Sequence, residues 1–136
     1  MSITINILLV DDVVNSRELL RAALLACIYE HKVEINANFF HASSGKSIPE
    51  QINLHHINLV YLDIELPHTS GLEVLKQIRQ VMPKITVVMV SGESSAANVG
   101  SAIESGANGF IVKPFNSGRI LDSLQSYLKK VSYTNK

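Results

Sequence analysis

The stretch Ile7-Leu8-Leu9-Val10-Asp11-Asp12 passes from four apolar residues directly into two adjacent carboxylates. A second apolar stretch, Leu59-Val60-Tyr61-Leu62, ends at Asp63, and a third, Gly109–Val112, is followed by Lys113-Pro114-Phe115. Short apolar runs of this kind are typical of strands that are buried on both faces of a parallel sheet. Because the carboxyl ends of parallel strands meet at one edge, where open α/β folds bind ligands, the sequence predicts that three carboxylates and one ammonium group lie close together.

The predicted cluster has an excess of negative charge. Carboxylates at this density repel one another, and a hard divalent cation is the usual compensation. The lysine beside them indicates that a further anion binds there, and phosphate is the simplest candidate. The residues alone therefore point to a site for a divalent cation and a phosphoryl group.

Five apolar runs alternate with helical patterns along the chain. The strands are predicted at Ile3–Val10, Val33–His41, Ile57–Ile64, Ile85–Val90 and Gly109–Val112. Five strands that alternate with helices predict a parallel sheet covered on both faces. The helix ends are predicted from capping patterns, which are Asn15 with Glu18, Ser70 with Glu73, Asn116, and Gly106 after a fourth helix at Ser94–Ser105. Pro49 is expected to open a short helix between the second and third strands.

The composition restricts the class of protein. The chain has 136 residues, 46% of them hydrophobic and 18% charged, and its formal net charge is zero. This length fits one domain with a substantial core, and the balanced charge gives no basic surface for nucleic acid. Cys27 is the one cysteine, so no internal disulfide can form, and its apolar neighbours predict that it is buried. Without a predicted signal peptide or membrane span, a cytoplasmic protein is expected.

Five separated segments resemble the receiver domain of bacterial two-component response regulators. In chain order they are Leu8–Asp12, Leu62–Pro67, Gly71–Leu75, Val90–Gly92 and Gly106–Phe115. Each segment is a weak signal alone, but together and at these spacings they are specific. The resemblance extends from about Ile5 to Lys129. It implies a flavodoxin-like, doubly wound sheet of five parallel strands in the order 2-1-3-4-5 with five helices, and a single receiver domain over residues 1–136.

The resemblance assigns the acidic residues to phosphoryl transfer. Asp63 corresponds to the phosphoacceptor, and Asp11 and Asp12 correspond to the pair that holds Mg²⁺, for which Mn²⁺ can substitute. By the family pattern Asp12 binds the metal directly and Asp11 acts mainly through water. Asp63 and the backbone carbonyl of Glu65 complete the protein's share of the ligands.

The remaining site residues are assigned by the same resemblance. Lys113 and Ser91 contact the phosphoryl group, and the peptide bond between Lys113 and Pro114 is cis in the family. Ser91 and Phe110 form the conformational switch. Glu65 and Glu93, two residues beyond the acceptor and beyond Ser91, occupy positions that tune the lifetime of the phosphoryl group.

The function implied is a receiver that signals through contacts with other proteins. It accepts a phosphoryl group from a sensor histidine kinase or a histidine phosphotransfer domain and catalyses only its own phosphorylation and dephosphorylation. The expected output surface comprises the fourth helix, fifth strand and fifth helix, on a monomer or weak homodimer without direct contact with nucleic acid or membrane. Two alternatives remain open, namely a relay carrier that passes the phosphoryl group onward and, less favoured, an aspartyl-phosphate hydrolase of the haloacid dehalogenase type.

Overall fold

A computed structural model of the chain describes residues 3–92 and 96–134. Within these residues, five strands alternate with five helices. Their bounds are β1 Ile3–Val10, α1 Val14–Glu30, β2 Ile35–Ala42, α2 Ile48–Leu54, β3 Leu59–Asp63, α3 Gly71–Val81, β4 Thr86–Ser91, α4 Ala96–Glu104, β5 Gly109–Val112 and α5 Ser117–Thr134.

The strands form one parallel sheet in the order β2-β1-β3-β4-β5, which confirms the predicted order. Parallel strands need long crossover connections, and each connection here contains a helix. The register aligns the carboxyl ends of the inner strands, since Val10 is paired with Leu62, Asp63 with Val90, and Ser91 with Val112. The residues at the carboxyl ends of β1, β3, β4 and β5 therefore lie along one edge of the sheet.

Alternate residues of the strands face two separate cores. In β1, Ile7 and Leu9 pack in a cluster with residues of α1 and α5, whereas Leu8 and Val10 pack in a cluster with residues of α2 and α3. The side chains of β1 have a period of two, so one apolar run supplies both faces. This arrangement explains why the inner strands are almost continuously apolar in sequence.

Two expectations from composition can be compared with the structure. Cys27 is 2% exposed and belongs to the core on the α1 and α5 side, so its predicted burial is confirmed. In the described part of the chain, none of the helices combines the length and the apolar character needed to cross a bilayer.

The predicted start of the first helix was wrong. The N-cap of α1 is Val13 rather than Asn15, and no side chain in the described chain caps it. The reason is the turn after β1, where the Asp11 carboxylate accepts the Val13 amide at 2.9 Å and the helix begins at once. A capping box at Asn15 and Glu18 therefore has no role here.

Other capping predictions had mixed outcomes. Ser70 is the N-cap of α3, but among the described contacts its side chain makes no capping bond. The Glu73 carboxylate is paired with Lys76 instead, with 3.4 Å between Glu73 Oε1 and Lys76 Nζ. Asn116 does cap α5, because its side-chain oxygen accepts the Gly118 amide at 2.8 Å. Gly106 ends α4 with a φ of +101° and the two backbone bonds of a Schellman motif, as predicted. Pro49 lies in the first turn of α2, also as predicted.

The guanidinium of Arg79 cross-links the end of the sheet opposite the site. It donates to the backbone oxygens of Gly106, Met82 and Ile85 at 2.9, 3.2 and 2.7 Å, and to the side-chain oxygen of Asn108 at 2.8 Å. The same Asn108 oxygen accepts the amide of a β4 residue at 2.8 Å. One side chain therefore joins the segments that lead into β4 and β5.

The N-terminus of α3 approaches the end of β3 closely. The Gly71 amide donates to the Ile64 carbonyl at 2.8 Å. A Cβ atom on Gly71 would lie 2.1 Å from the carbonyl oxygen of Asp63, far inside van der Waals contact. This backbone contact fixes the loop after Asp63, so glycine is required at position 71.

We predict that Gly71→Ala lowers the free energy of unfolding by about 1–3 kcal/mol, because the helix must move away from β3. Gly100→Ala is the matched control: a Cβ there meets no described atom within 4 Å, and alanine favours the helix by about 0.5–1 kcal/mol. Urea denaturation of both variants and the parent measures the two effects. Equal stability of Gly71→Ala and Gly100→Ala would show that the close approach is unimportant.

Candidate functional site

Two buried carboxylates lie at the ends of neighbouring strands. Asp11 directly follows β1 and Asp63 is the last residue of β3, and they are 6% and 3% exposed. The preceding residues, Val10 and Leu62, are paired across the two strands. Since neighbouring strands are about 4.8 Å apart, the two acidic side chains must share one small space.

The ammonium group of Lys113 bridges the two carboxylates. Its Nζ lies 3.0 Å from Asp11 Oδ2 and 2.9 Å from Asp63 Oδ2. Lys113 follows β5, which is two strands away from β3, or roughly 10 Å. Only a long side chain can reach across the end of β4, and the Lys113 amide holds the backbone there by donating to the Ser91 carbonyl at 2.8 Å. The bond between Lys113 and Pro114 is cis.

Backbone amides orient the same two carboxylates. Asp11 Oδ1 accepts the Val13 amide at 2.9 Å, and Asp63 Oδ1 accepts the Glu65 amide at 3.0 Å. Each carboxylate therefore has one oxygen on a backbone amide of its own loop and the other on the ammonium of Lys113. Their positions are set before any ligand arrives, which is the property that electrostatic catalysis requires.

Two polar residues near Asp11 were missed by the sequence analysis. The Ser16 side chain lowers the pKa of the Asp11 carboxyl, and Arg17 Nη1 donates to the Asp11 carbonyl at 2.5 Å. Both residues lie in the first turn of α1, which starts at Val14. A correct prediction of that start would have directed attention to them, because the first turn of the helix faces the end of β1.

The charges of the site shift its pKa values in different directions. Burial raises the pKa of Asp63 from 3.8 to about 6; the Lys113 hydrogen bond opposes this rise and the charge of Asp11 adds to it. Burial also acts to raise the pKa of Asp11, but hydrogen bonds from Ser16, Val13 and Lys113 outweigh it, and the pKa lies below its ordinary value. Burial would lower the pKa of Lys113, but its bonds to Asp63 and Asp11 raise it.

Asp12 adds a third, exposed carboxylate to this edge of the sheet. One oxygen from each of Asp11, Asp12 and Asp63 lies within 4.8 Å of the others. Closely spaced carboxylate oxygens are the donors that Mg²⁺ prefers, and few protein ligands suffice because the ion keeps several waters. The residues present therefore fit a magnesium site, with Asp12 open to solvent where those waters would lie.

Glu65 and Ser91 make a contact that the sequence analysis did not foresee. The Ser91 hydroxyl, which is fully buried, donates to Glu65 Oε2 at 2.7 Å. The Gly92 amide donates to Glu65 Oε1 at 2.9 Å. The side chain of Glu65 is thus held at the end of β4, whereas its amide faces Asp63.

Phe110 and Glu93 are the two remaining candidate residues. Phe110 in β5 is half-buried and packs against the core on the α2 and α3 side, which also includes Ala102 of α4. Glu93 lies outside the described residues. The structure therefore brings together Asp11, Asp12, Asp63 and Lys113, and brings together Ser91 and Glu65 on the neighbouring strand end.

Comparison with known proteins gives the family. The family model of the response regulator receiver domain matches residues 7–125. The chain belongs to the response regulator receiver family. Receiver domains are signalling domains of two-component systems, and accepting a phosphoryl group is the general function of the family.

Individual relatives agree in sequence and in fold. The chemotaxis protein CheY of Bacillus subtilis strain 168 is 32% identical over 122 residues, which cover 90% of this chain and 96% of that protein. The crystal structure of the receiver domain of NtrX from Brucella abortus is 33% identical, with a TM-score of 0.74 over 90% of this chain and 98% of that chain. A CheY-like receiver domain protein from Methanospirillum hungatei JF-1 has a TM-score of 0.79 at 24% identity, over 97% and 99% of the two chains.

The family supplies the general context of the acidic site. Receiver domains bind Mg²⁺ at an acidic pocket, and this chain has the cluster of Asp11, Asp12 and Asp63. CheY-like receiver domains interact with histidine kinases and with downstream targets. The flavodoxin-like fold expected from the sequence is confirmed by the strand order and by these structural relatives.

We predict that Asp63→Asn stabilises the metal-free protein at neutral pH more than at acidic pH. The pKa of Asp63 is raised to about 6 in the folded state, so between about pH 4 and pH 6 the folded protein holds more protons than the unfolded chain. The free energy of unfolding of the parent therefore falls as pH rises through this window. Because asparagine does not titrate, the free energy of unfolding of Asp63→Asn lacks this fall. Urea denaturation in EDTA across the window measures the difference.

Asp122→Asn is the control for this measurement, because Asp122 is an exposed residue of α5. Its effect on stability should not grow between acidic and neutral pH as that of Asp63→Asn does. A constant difference between Asp63→Asn and the parent over the whole window would contradict the raised pKa.

Proposed function

We propose that Asp63 accepts a phosphoryl group from a phosphohistidine of a sensor histidine kinase or a histidine phosphotransfer domain, in a reaction that depends on Mg²⁺. The observation that carries this proposal is the bridge from Lys113 Nζ to Asp11 and Asp63 at 3.0 and 2.9 Å, beside the exposed Asp12. One ammonium and three carboxylates leave an excess of negative charge at this edge of the sheet. A phosphoryl dianion can therefore bind there only when a cation binds as well.

The chemistry at Asp63 is nucleophilic displacement at phosphorus. A carboxylate oxygen of Asp63 forms the new O–P bond while the P–N bond to the partner's histidine breaks, and the leaving imidazole nitrogen takes up a proton. The products are an aspartyl phosphate and a neutral histidine. Most of the catalysis consists of positioning and of charge compensation, since little covalent assistance is needed.

Charge compensation has two sources in this proposal. A phosphoryl group carries nearly two negative charges at neutral pH, and it must approach an ionised Asp63 beside Asp11. The ammonium of Lys113 is already within hydrogen-bond distance of Asp63 and would follow the phosphoryl oxygens. Asp11, Asp12, Asp63 and the Glu65 carbonyl would hold Mg²⁺, which when bound supplies a further two positive charges.

The proposed output begins at Ser91. A phosphoryl oxygen on Asp63 would accept the Ser91 hydroxyl, and the movement of Ser91 would let Phe110 turn into the space beside β4. Phe110 packs on the side of the sheet that also holds Ala102 of α4, so this movement would change the surface made by α4, β5 and α5. That surface is the proposed contact with the downstream protein.

The alternatives differ in the fate of the phosphoryl group on Asp63. A relay carrier would use the same Asp63 chemistry and pass the group to a second histidine. A hydrolase of the haloacid dehalogenase type would need an acid near the scissile bond two residues after the nucleophile. The carboxylate of Glu65 is instead bonded to Ser91 and Gly92, which favours the receiver function over hydrolase activity.

We predict that acetyl phosphate with Mg²⁺ adds the mass of one phosphoryl group to the parent and to Asp122→Asn, but not to Asp63→Asn. No phosphoryl group should be added when EDTA is present from the start, because without the metal the carboxylates repel the incoming anion. Mass analysis of the intact protein at early times measures the labelled fraction. Labelling of Asp63→Asn at the rate of the parent would contradict the assignment of the acceptor.

Glu65 and Glu93 are proposed to tune the lifetime of the phosphoryl group. We predict that Glu65→Ala and Glu93→Ala change the half-life of phosphorylated protein several-fold while the urea midpoint changes little, since the family resemblance assigns both positions to control of the water that attacks phosphorus. Glu73→Ala, on the exposed face of α3, is the control. Equal half-lives for all four proteins would disprove a role for these carboxylates.

A further inference from the structure

The carboxylate of Glu65 occupies two adjacent hydrogen-bond donors at the end of β4. Oε2 accepts the Ser91 hydroxyl at 2.7 Å, and Oε1 accepts the Gly92 amide at 2.9 Å. Ser91 is fully buried, whereas Glu65 is exposed as a residue. The contact thus joins an acidic side chain from the loop after β3 to the strand end next to it.

A hydroxyl and an amide that lie side by side can both donate hydrogen bonds to one anion, provided that two of its oxygens have a suitable spacing. Carboxylate and phosphoryl oxygens are both strong acceptors for such donors. A serine hydroxyl has one proton to donate, so a strong bond to one anion excludes an equal bond to another. A phosphoryl group on Asp63 that uses Ser91 must therefore displace the Glu65 carboxylate.

The competing anion is connected to the acceptor itself. Glu65 lies two residues after Asp63, and its amide donates to Asp63 Oδ1 at 3.0 Å. The backbone of Glu65 thus orients the acceptor while its side chain holds the donors that the product would need. Since the side chain reaches these donors from an exposed position, it can be rehydrated when released, which keeps the exchange reversible.

We propose that Glu65 is an internal competitor for the phosphoryl-binding donors: its carboxylate holds Ser91 and Gly92 in the unphosphorylated protein and is released when a phosphoryl group binds. This inference rests on the proposed function of Asp63. It goes further by making the activation an exchange of one anion for another, in which Glu65 lowers the apparent affinity of the site. By linkage, any partner that holds Glu65 away from Ser91 favours the phosphorylated state.

The test uses BeF₃⁻, which becomes tetrahedral when it binds a carboxylate oxygen and then mimics a phosphoryl group. It is titrated at saturating Mg²⁺ and followed by NMR, including the amide of Gly92. We expect Glu65→Ala to bind BeF₃⁻ about tenfold more tightly than the parent, because one charged hydrogen bond no longer competes. Glu65→Gln, which keeps an acceptor but removes the charge, should give a smaller gain. Glu73→Ala, which removes an exposed carboxylate from α3, should bind as the parent does.

The Ser91→Ala background separates competition from simple charge repulsion. If Glu65 acts through the donors, the gain from Glu65→Ala shrinks when Ser91 is already alanine. If Glu65→Ala raises the affinity for BeF₃⁻ equally in both backgrounds, or does not raise it in the parent background, then Glu65 does not compete for these donors. Absence of BeF₃⁻ binding by the folded parent would instead refute the proposed function of Asp63, so the two failures are distinguishable.

Discussion

The bond from one ammonium group to two buried carboxylates is the interaction on which the site depends. Asp11 and Asp63 end adjacent strands, so the sheet itself forces like charges together. Burial alone would favour their neutral forms, and Lys113 opposes that tendency at both positions. The strand order matters for the same reason, since it leaves β4 between the acids and the lysine and only a long cationic side chain can span the gap.

The donors described at this edge are already occupied by acceptors of the chain itself. Lys113 donates to Asp11 and Asp63, and the amides of Val13 and Glu65 donate to the same two carboxylates. The Ser91 hydroxyl and the Gly92 amide donate to the Glu65 carboxylate. An anion that takes one of these occupied donors must replace the carboxylate that now holds it. The energy of binding is therefore a difference between two sets of hydrogen bonds, and it is sensitive to each carboxylate in the network.

The fold could be predicted from sequence because it depends on patterns that survive without coordinates. Apolar runs and their alternation with helices indicated a parallel sheet covered on both faces, Gly106 and Asn116 indicated helix ends, and the family resemblance implied the strand order. The cluster of Asp11, Asp63 and Lys113 was also predictable, since strand ends converge in any parallel sheet. The prediction that Asn15 caps the first helix was wrong because the Asp11 carboxylate accepts the Val13 amide and the helix begins two residues earlier than a cap at Asn15 requires. The contact between Glu65 and Ser91 was beyond prediction, because spacing fixes where a backbone lies but not where a long side chain turns.

The two ends of the sheet are unequal in their construction. At the end away from the acids, the guanidinium of Arg79 binds three backbone oxygens and Asn108, and so fastens the segments that precede β4 and β5. At the other end, Glu65 accepts hydrogen bonds from Ser91 and Gly92 at the end of β4, and Lys113 binds Asp63 after β5. Under the proposed exchange, a rearrangement of Ser91 would act on a strand whose opposite end is fastened by Arg79 and Asn108, so the displacement is expected at the end of β4 that carries Ser91.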